Sequence, residues 1–427
     1  MTKWKSIQFG FAAFGTNLIS VTLGAILLSG IYCIPGAELV DKLLATTLLA
    51  VASVWDAIID PYIGYFSDNL RTKIGRRRPL FLLGAPMEAL AFILLLLPPK
   101  GWDTTAILAY MILFRTVFFT FHSMVCVSYD TLIAEIGHTS AERVRLSGLK
   151  SIFAQIGVLV GSLVAGILIG ISPLLLALVV GILGFVMIYL TLPVIPKSIP
   201  QESGGPQVGP LRSILSILGN GQFLILFFTT VIYIIGQGLL TSNLEYLTQL
   251  VGGQPKGRGT LVLAGAVVIM MTCAVIFIRL GRKYTPKKLF RFCLLAFSCA
   301  SLLGFFAGQL PGVPPFIQCI GVVVLMAPWL AGCLIFGFVL LGNIIDHDQA
   351  ASNRRREAEF YGAYAVSSGV GSALAFQILG LCHLAGDTAE NPFGVRLVYL
   401  VLACLLLVAF LIMGRFKLKE VESVQEG

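Results

Sequence analysis

Two aspartates, Asp56 and Asp60, stand four residues apart in the apolar run SVWDAIIDPYIGYFSD. On a helix that spacing stacks both carboxylates on one face. Two such charges repel unless something positive lies between them: a metal ion such as sodium, a shared proton, or a basic side chain from another helix. The bland alternative is that they only bond to neighbouring helices or to backbone freed near Pro61. A carboxylate near a bilayer midplane costs at least ~2.5–3.5 kcal/mol, so acids placed there more often mark an ion or proton pathway. Asp68, at the end of the same run and just before Arg71, reads as a structural gate charge.

Other polar residues interrupt apolar runs: Asn17, Glu88, Arg115, His122, Asp130, Tyr233, Gln237 and Glu245. Arg115 calls for a carboxylate partner, which Glu88 or an aspartate of the Asp56–Asp60 run would supply. Taken singly, each of the others serves helix packing as readily as ligand binding. Trp329, in MAPWL, either stacks on a sugar ring or packs. The nine cysteines sit singly, with no CxxC spacing and no histidine cluster, which argues against a disulfide framework or a zinc site. Walker A, GxSxG, HExxH and strand–GxGxxG–helix signatures are absent, so no enzyme is expected and no cofactor beyond a coupling ion. Any uphill transport would draw on an ion gradient.

The elements that must hold these residues follow from composition. Of 427 residues 57% are hydrophobic and 12% charged, and the mean hydropathy is +0.91. A water-soluble domain carries roughly 25% charged residues, so the solvent here is lipid. Twelve segments reach the length that crosses about 30 Å of hydrocarbon: 7–32, 43–66, 79–98, 105–133, 149–171, 174–195, 219–249, 260–280, 288–308, 314–344, 359–383 and 394–414. Of the 30 Lys and Arg, 24 fall on one side of that topology. Five (Lys42, Lys100, Lys256, Arg258 and Arg396) fall on the other, and Arg115 stays within a span. The bias predicts both termini in the cytoplasm of a multi-pass cell-membrane protein, and it explains the net charge of +9 without a nucleic-acid partner. Residues 197–213, KSIPQESGGPQVGPLRS, read as a cytoplasmic linker between six-helix bundles at 1–196 and 214–427. The expected class is therefore all-α membrane.

Three stretches carry a family resemblance. WDAIIDPYIGYFSDNLRTKIGRRRP, SYDTLIAEIGHTSAERVRLSGLK and NIIDHDQAASNRRREAEFYGAY resemble, in order, the signature segments of the glycoside–pentoside–hexuronide:cation symporters, a branch of the major facilitator superfamily. The resemblance implies the major facilitator fold, with two six-helix bundles, a central cavity and alternating access. It implies a cation site at Asp56 and Asp60, with Ser123 beside them. It also implies a cytoplasmic gate of Asp68, Arg76, Arg143, Arg145, Asp346, Arg354, Arg355 and Arg356, with Asp68 paired to the arginines at 143, 145 or 354–356. Asn17, His122, Cys126, Tyr129 and Trp329 would line the solute cavity.

The chain departs from the family pattern where ligands are expected. Asn17 replaces an aspartate of the first helix, Cys126 an aspartate of the fourth, Ile59 an asparagine that helps hold sodium, and Gly369 a lysine. His122 and Ser123 stand where the pattern has a Tyr-Thr pair. Fewer oxygens favour a proton over sodium at the coupling site. The expected activity is symport of a small sugar or glycoside by a monomer in contact with membrane lipid. A lysolipid or other amphiphile is the alternative solute, and a non-transporting sensor or scaffold the alternative class.

Overall fold

The computed structural model describes residues 3–26, 55, 58–169, 171–197, 210–255, 258–352 and 356–417. Among these, every regular element is helical. The helices are α1 (Lys3–Ile26), α2 (58–69), α3 (Arg78–Leu95), α4 (Thr104–Ile136), α5 (Ser140–Leu168), α6 (Pro173–Tyr189) and α7 (Pro210–Leu218). They continue as α8 (Gly221–Tyr246), α9 (Arg258–Leu280), α10 (Pro286–Phe305), α11 (Pro315–Ser352), α12 (Glu357–His383) and α13 (Phe393–Gly414). Eleven are long and apolar enough to cross a bilayer. They coincide with eleven of the twelve segments expected from hydropathy, and the twelfth, 43–66, falls largely outside the described residues.

Helix starts follow local chemistry. The Asp103 carboxylate accepts from the amides of Thr105 and Ala106 ahead of α4, and Asn220 accepts from Gln222 and Phe223 ahead of α8. Proline opens α3, α6 and α10, where its missing N–H costs nothing. Pro86 and Pro328 lie inside helices, each removing one backbone donor.

The chain forms two compact units, 1–137 with 152–214 and 348–366, and 138–151 with 215–347 and 367–427. Three helices are thus divided: the start of α5 belongs to the second unit, while the end of α11 and the start of α12 belong to the first. In the first unit α3 packs on α4 and α6, and α1 on α6. In the second, α13 packs on α8 and α10.

The approach of α2 to α12 within the first unit is close enough to need glycine on both helices. A Cβ on Gly64 would run into the Ala358 carbonyl oxygen, and one on Gly362 would lie 2.5 Å from the Asp60 carbonyl oxygen. These are backbone atoms, so no rotamer change relieves them. Gly64→Val is expected to lower the melting midpoint by several degrees, corresponding to roughly 1–3 kcal/mol or more of overpacking. A thermal melt beside Gly24→Val, whose Cβ meets nothing within 4 Å, checks this.

Candidate functional site

The α2–α12 crossing positions the first carboxylate. Asp60 is 9% exposed, one turn before Gly64, beside a small apolar cluster of Ile63, Val127 and Ala358 against which Ile59 and Met124 pack. Ser123 is buried on α4. Asp56 lies outside the described residues. Among the described residues no three His, Cys, Asp or Glu converge as a metal site.

A second polar group forms on the facing surfaces of α1, α3 and α4. His122 Nδ1 lies 2.8 Å from Glu88 Oε1, and its Nε2 lies 3.3 Å from Ser20 Oγ and 3.4 Å from Cys126 Sγ. The ring stacks on Phe118 at 5.4 Å between centroids. Glu88 is fully buried, and among the described residues its second oxygen, Oε2, has no hydrogen-bond partner. Glu88 was one expected partner for Arg115, yet its Oε1 is occupied by His122, and the Arg115 guanidinium lies 4.6 Å from the Phe119 ring centroid. Asn17, Ser20, His122, Cys126 and Asp130 are all half-buried, and the last three recur every fourth residue along one face of α4. Asn17 donates to the Ala13 carbonyl at 2.9 Å. Tyr129 faces inward: it is 2% exposed, stacks near Phe9 and donates its hydroxyl to the Phe9 carbonyl at 2.9 Å.

A buried charge cluster closes one end of the first unit. Arg77, 2% exposed, pairs with Asp68 at 2.6 Å and Glu135 at 2.7 Å and donates to Ser67. Arg76 lies 3.5 Å from Glu135 and 3.8 Å from Glu357. The other Asp68 oxygen accepts from the Glu359 amide, and the Glu359 carboxylate accepts from Ser213. Arg356 grips Asp348 with Nε at 3.0 Å and Nη2 at 2.7 Å. Burial pushes the Asp68 carboxyl above its ordinary range, Arg77 pulls it back, and Glu357 adds to the push. Arg77 stays charged because Glu135 and Asp68 outweigh its own burial.

In the second unit Arg143 makes a forked pair with Asp346, at 2.6 and 2.8 Å, and adds Asn343 at 3.2 Å. Gly342 leaves the room, since a Cβ there would meet the guanidinium at 3.0 Å. Arg145 is half-buried on the same helix. Lysine cannot reproduce a fork. Arg143→Lys is therefore expected to cost on the order of 1 kcal/mol, the smaller end of the charged-hydrogen-bond range because the Asp346 side chain is 38% exposed. Costs of Arg143→Lys and Asp346→Asn that simply add in the double variant would refute the pairing. Trp329 stands edge-on to Phe292 at 5.4 Å, and an apolar groove of about 270 Å³ opens between α9 and α11, lined by residues such as Leu261, Phe316 and Ile320, with Arg258 at one end.

The structure thus brings His122 and Cys126 together, and separately joins Arg143 to Asp346. Asp68 pairs with Arg77, and two of its expected partners, Arg354 and Arg355, lie outside the described residues. Arg77, Glu135, Asp348, Glu357 and Glu359 were not singled out from sequence. The one available signal was that all five fall inside the quoted family segments.

Helices long and apolar enough to cross a bilayer, carrying buried carboxylates and arginines, define a multi-pass membrane protein. A family model described as MFS/sugar transport protein matches residues 8–420, and the chain belongs to that family. The chain is 22% identical to the lactose permease of Lactobacillus delbrueckii subsp. bulgaricus over 90% of its own length and 63% of the permease. It is 22% identical to the putative glycoside/cation symporter YagG of Escherichia coli over 98% of this chain and 89% of that one. It is also 27% identical to the sodium-dependent lysophosphatidylcholine symporter 1 of Xenopus tropicalis, over 30% of this chain and 24% of that one. The fold is that of the major facilitator proton:xylose symporter XylE bound to 6-bromo-6-deoxy-D-glucose, with a TM-score of 0.69 at 18% identity, covering 96% of this chain and 94% of that one. These matches bear out the family resemblance and the fold expected from sequence.

Proposed function

We propose that this protein is a cation-coupled symporter of a small polyhydroxylated solute, a sugar or glycoside, working by alternating access in the cell membrane with both termini cytoplasmic. The observation that carries the reading is Asp60, a carboxylate 9% exposed on a helix of a chain that matches the sugar-transport family almost end to end. Asp60 with Asp56 and Ser123 holds the cation. Asn17, His122, Cys126, Tyr129 and Trp329 contribute to the solute site, Tyr129 only through its acceptor lone pair, since its proton goes to Phe9. The ion pairs of Asp68, Arg76, Arg143, Asp346 and Arg356, with Arg145, Arg354 and Arg355, form a gate that breaks and remakes during the cycle. Coupling arises because unneutralised aspartates resist the dehydrated, occluded state, and a bound cation removes that resistance.

The match to lysophosphatidylcholine symporters over about a third of the chain supports a second solute class, an amphiphile. A thermal-shift screen of sugars, glycosides and lysolipids, with and without sodium, separates the two, since a ligand stabilises by mass action. Uptake of the hit into proteoliposomes under an imposed sodium or proton gradient then tests symport. Accumulation above the equilibrium level is expected, and equilibration alone under both gradients would overturn the reading.

A further inference from the structure

We propose that Glu88 and His122 together form a proton-binding site, separate from the Asp56–Asp60 pair.

Glu88 is fully buried; one oxygen meets His122 Nδ1, and the other meets no hydrogen-bond partner among the described residues. A carboxylate so placed beside a neutral imidazole leaves one net negative charge in a dry site with an unmet lone pair, which is costly. One proton taken up by the pair cancels that charge, whichever of the two groups carries it. The imidazole can accept the change without rearrangement. Its Nε2 faces Ser20 Oγ and Cys126 Sγ, each able to donate to a bare nitrogen or to accept from a protonated one. Both charge states therefore find a partner at every imidazole nitrogen. A histidine that served packing alone would need a partner suited to one state only.

The proton has a route in. The His122 side chain is 18% exposed whereas Glu88 is 0% exposed, so exchange runs through the imidazole. The other titratable and charged groups facing the pair are few. From α4 come Cys126, Arg115 about two turns before His122, and Asp130 further along. The adjoining face of α1 brings only the neutral Asn17 and Ser20, and α6 carries only Tyr189, whose hydroxyl donates to the Leu82 carbonyl. Asp60 of α2 lies in the same unit, and Glu357 and Glu359 of α12 are committed to the basic cluster. Arg115 and the acids pull in opposite directions, and neither sign supplies a proton donor at Glu88 Oε2.

As a coupling element the pair deepens the symport reading and rests on it; as a proton site it stands without it. Transport would then respond to protons even where the aspartate pair takes sodium.

The test needs no solute. The chain has four histidines, so nitrogen-15 histidine spectra of the purified full chain can be assigned by exclusion, with substitutions at His138, His347 and His383. The His122 nitrogens are expected to change protonation with pH, and a carboxyl infrared band is expected to change at the same midpoint. In Glu88→Gln the histidine midpoint should move by at least about one pH unit. Should Glu88→Gln fail to fold, the coincidence of the two signals in the unaltered chain decides alone. A His122 spectrum constant over the whole pH range in which the chain stays folded, or one that titrates unchanged in Glu88→Gln, overturns the proposal. Failure to find any transported solute leaves this result untouched, and failure here leaves the symport reading to its own experiment.

Discussion

Replacing Arg77 with methionine is expected to lower the melting midpoint by about 3–6 °C, the largest stability effect of any single substitution in the basic loop. Arg77 is 2% exposed and sits between Asp68 and Glu135, at 2.6 and 2.7 Å. Methionine fills much of the volume but leaves two buried carboxylates facing one another, with Arg76 remaining 3.5 Å from Glu135. Removing one partner of a buried charge network costs about 3–5 kcal/mol, a large part of a total stability of roughly 5–15 kcal/mol. The sign with pH follows from Asp68. Its folded carboxyl already titrates above the unfolded value, pushed up by burial, and loss of Arg77 removes the strongest opposing pull. A group of that kind supports the fold when protonated and ceases to as pH rises through its folded value. The Arg77→Met deficit should therefore shrink in mild acid and grow toward alkaline pH. Cys293, Cys319 and Cys333 are buried, so a thiol-reactive dye reports the melt directly. A triple variant adding Asp68→Asn and Glu135→Gln should recover most of the loss. An Arg77→Met chain that melts with the parent at every pH would remove the cluster from the account.

The same loop shows where reading a sequence stops. Apolar runs of bilayer length placed eleven spans, because lipid requires every helix to carry its own backbone bonds and so leaves a long one-dimensional signal. The triplet Arg76, Arg77, Arg78 carries no such signal. Three identical side chains in a row go to three environments: Arg76 between Glu135 and Glu357, Arg77 into the buried pair, and Arg78 onto the Ile195 carbonyl at 2.9 Å. Glu135 lies 58 positions from Arg77, a pairing set by the packing of α3 on α4 and by no local pattern. Tyr129 illustrates the converse. The resemblance placed it at the solute site, and nothing local in the sequence showed that its hydroxyl proton goes to the Phe9 carbonyl. His122 was legible as a polar interruption, whereas its bond to Glu88, 34 positions away, was not.

Asp60→Asn is expected to abolish gradient-driven accumulation while leaving exchange of solute across the membrane in place. Asparagine keeps the shape of the side chain at the α2–α12 crossing, where the Asp60 carbonyl abuts Gly362, so helix packing should survive. What changes is charge. A charged carboxylate at membrane depth costs at least about 2.5–3.5 kcal/mol, which by itself slows passage of a carrier loaded with solute but no cation through a dehydrated state by about a hundredfold. In the proposed cycle that barrier ties inward movement of the solute to the cation: a bound ion relieves it, and solute alone does not. Removing one of the two negative charges lowers the barrier without any ion, so solute then moves down its own gradient and the accumulation ratio falls to about one. Counterflow, in which unlabelled internal solute draws in labelled solute, needs no net ion movement and should persist. Running both assays under sodium and proton gradients in turn identifies the coupling ion in the parent, because only the gradient of that ion supports accumulation. An Asp60→Asn protein that still concentrates solute under either gradient would show that this carboxylate does not carry the coupling, and the buried acids of α3 and α4 would become the next groups to test.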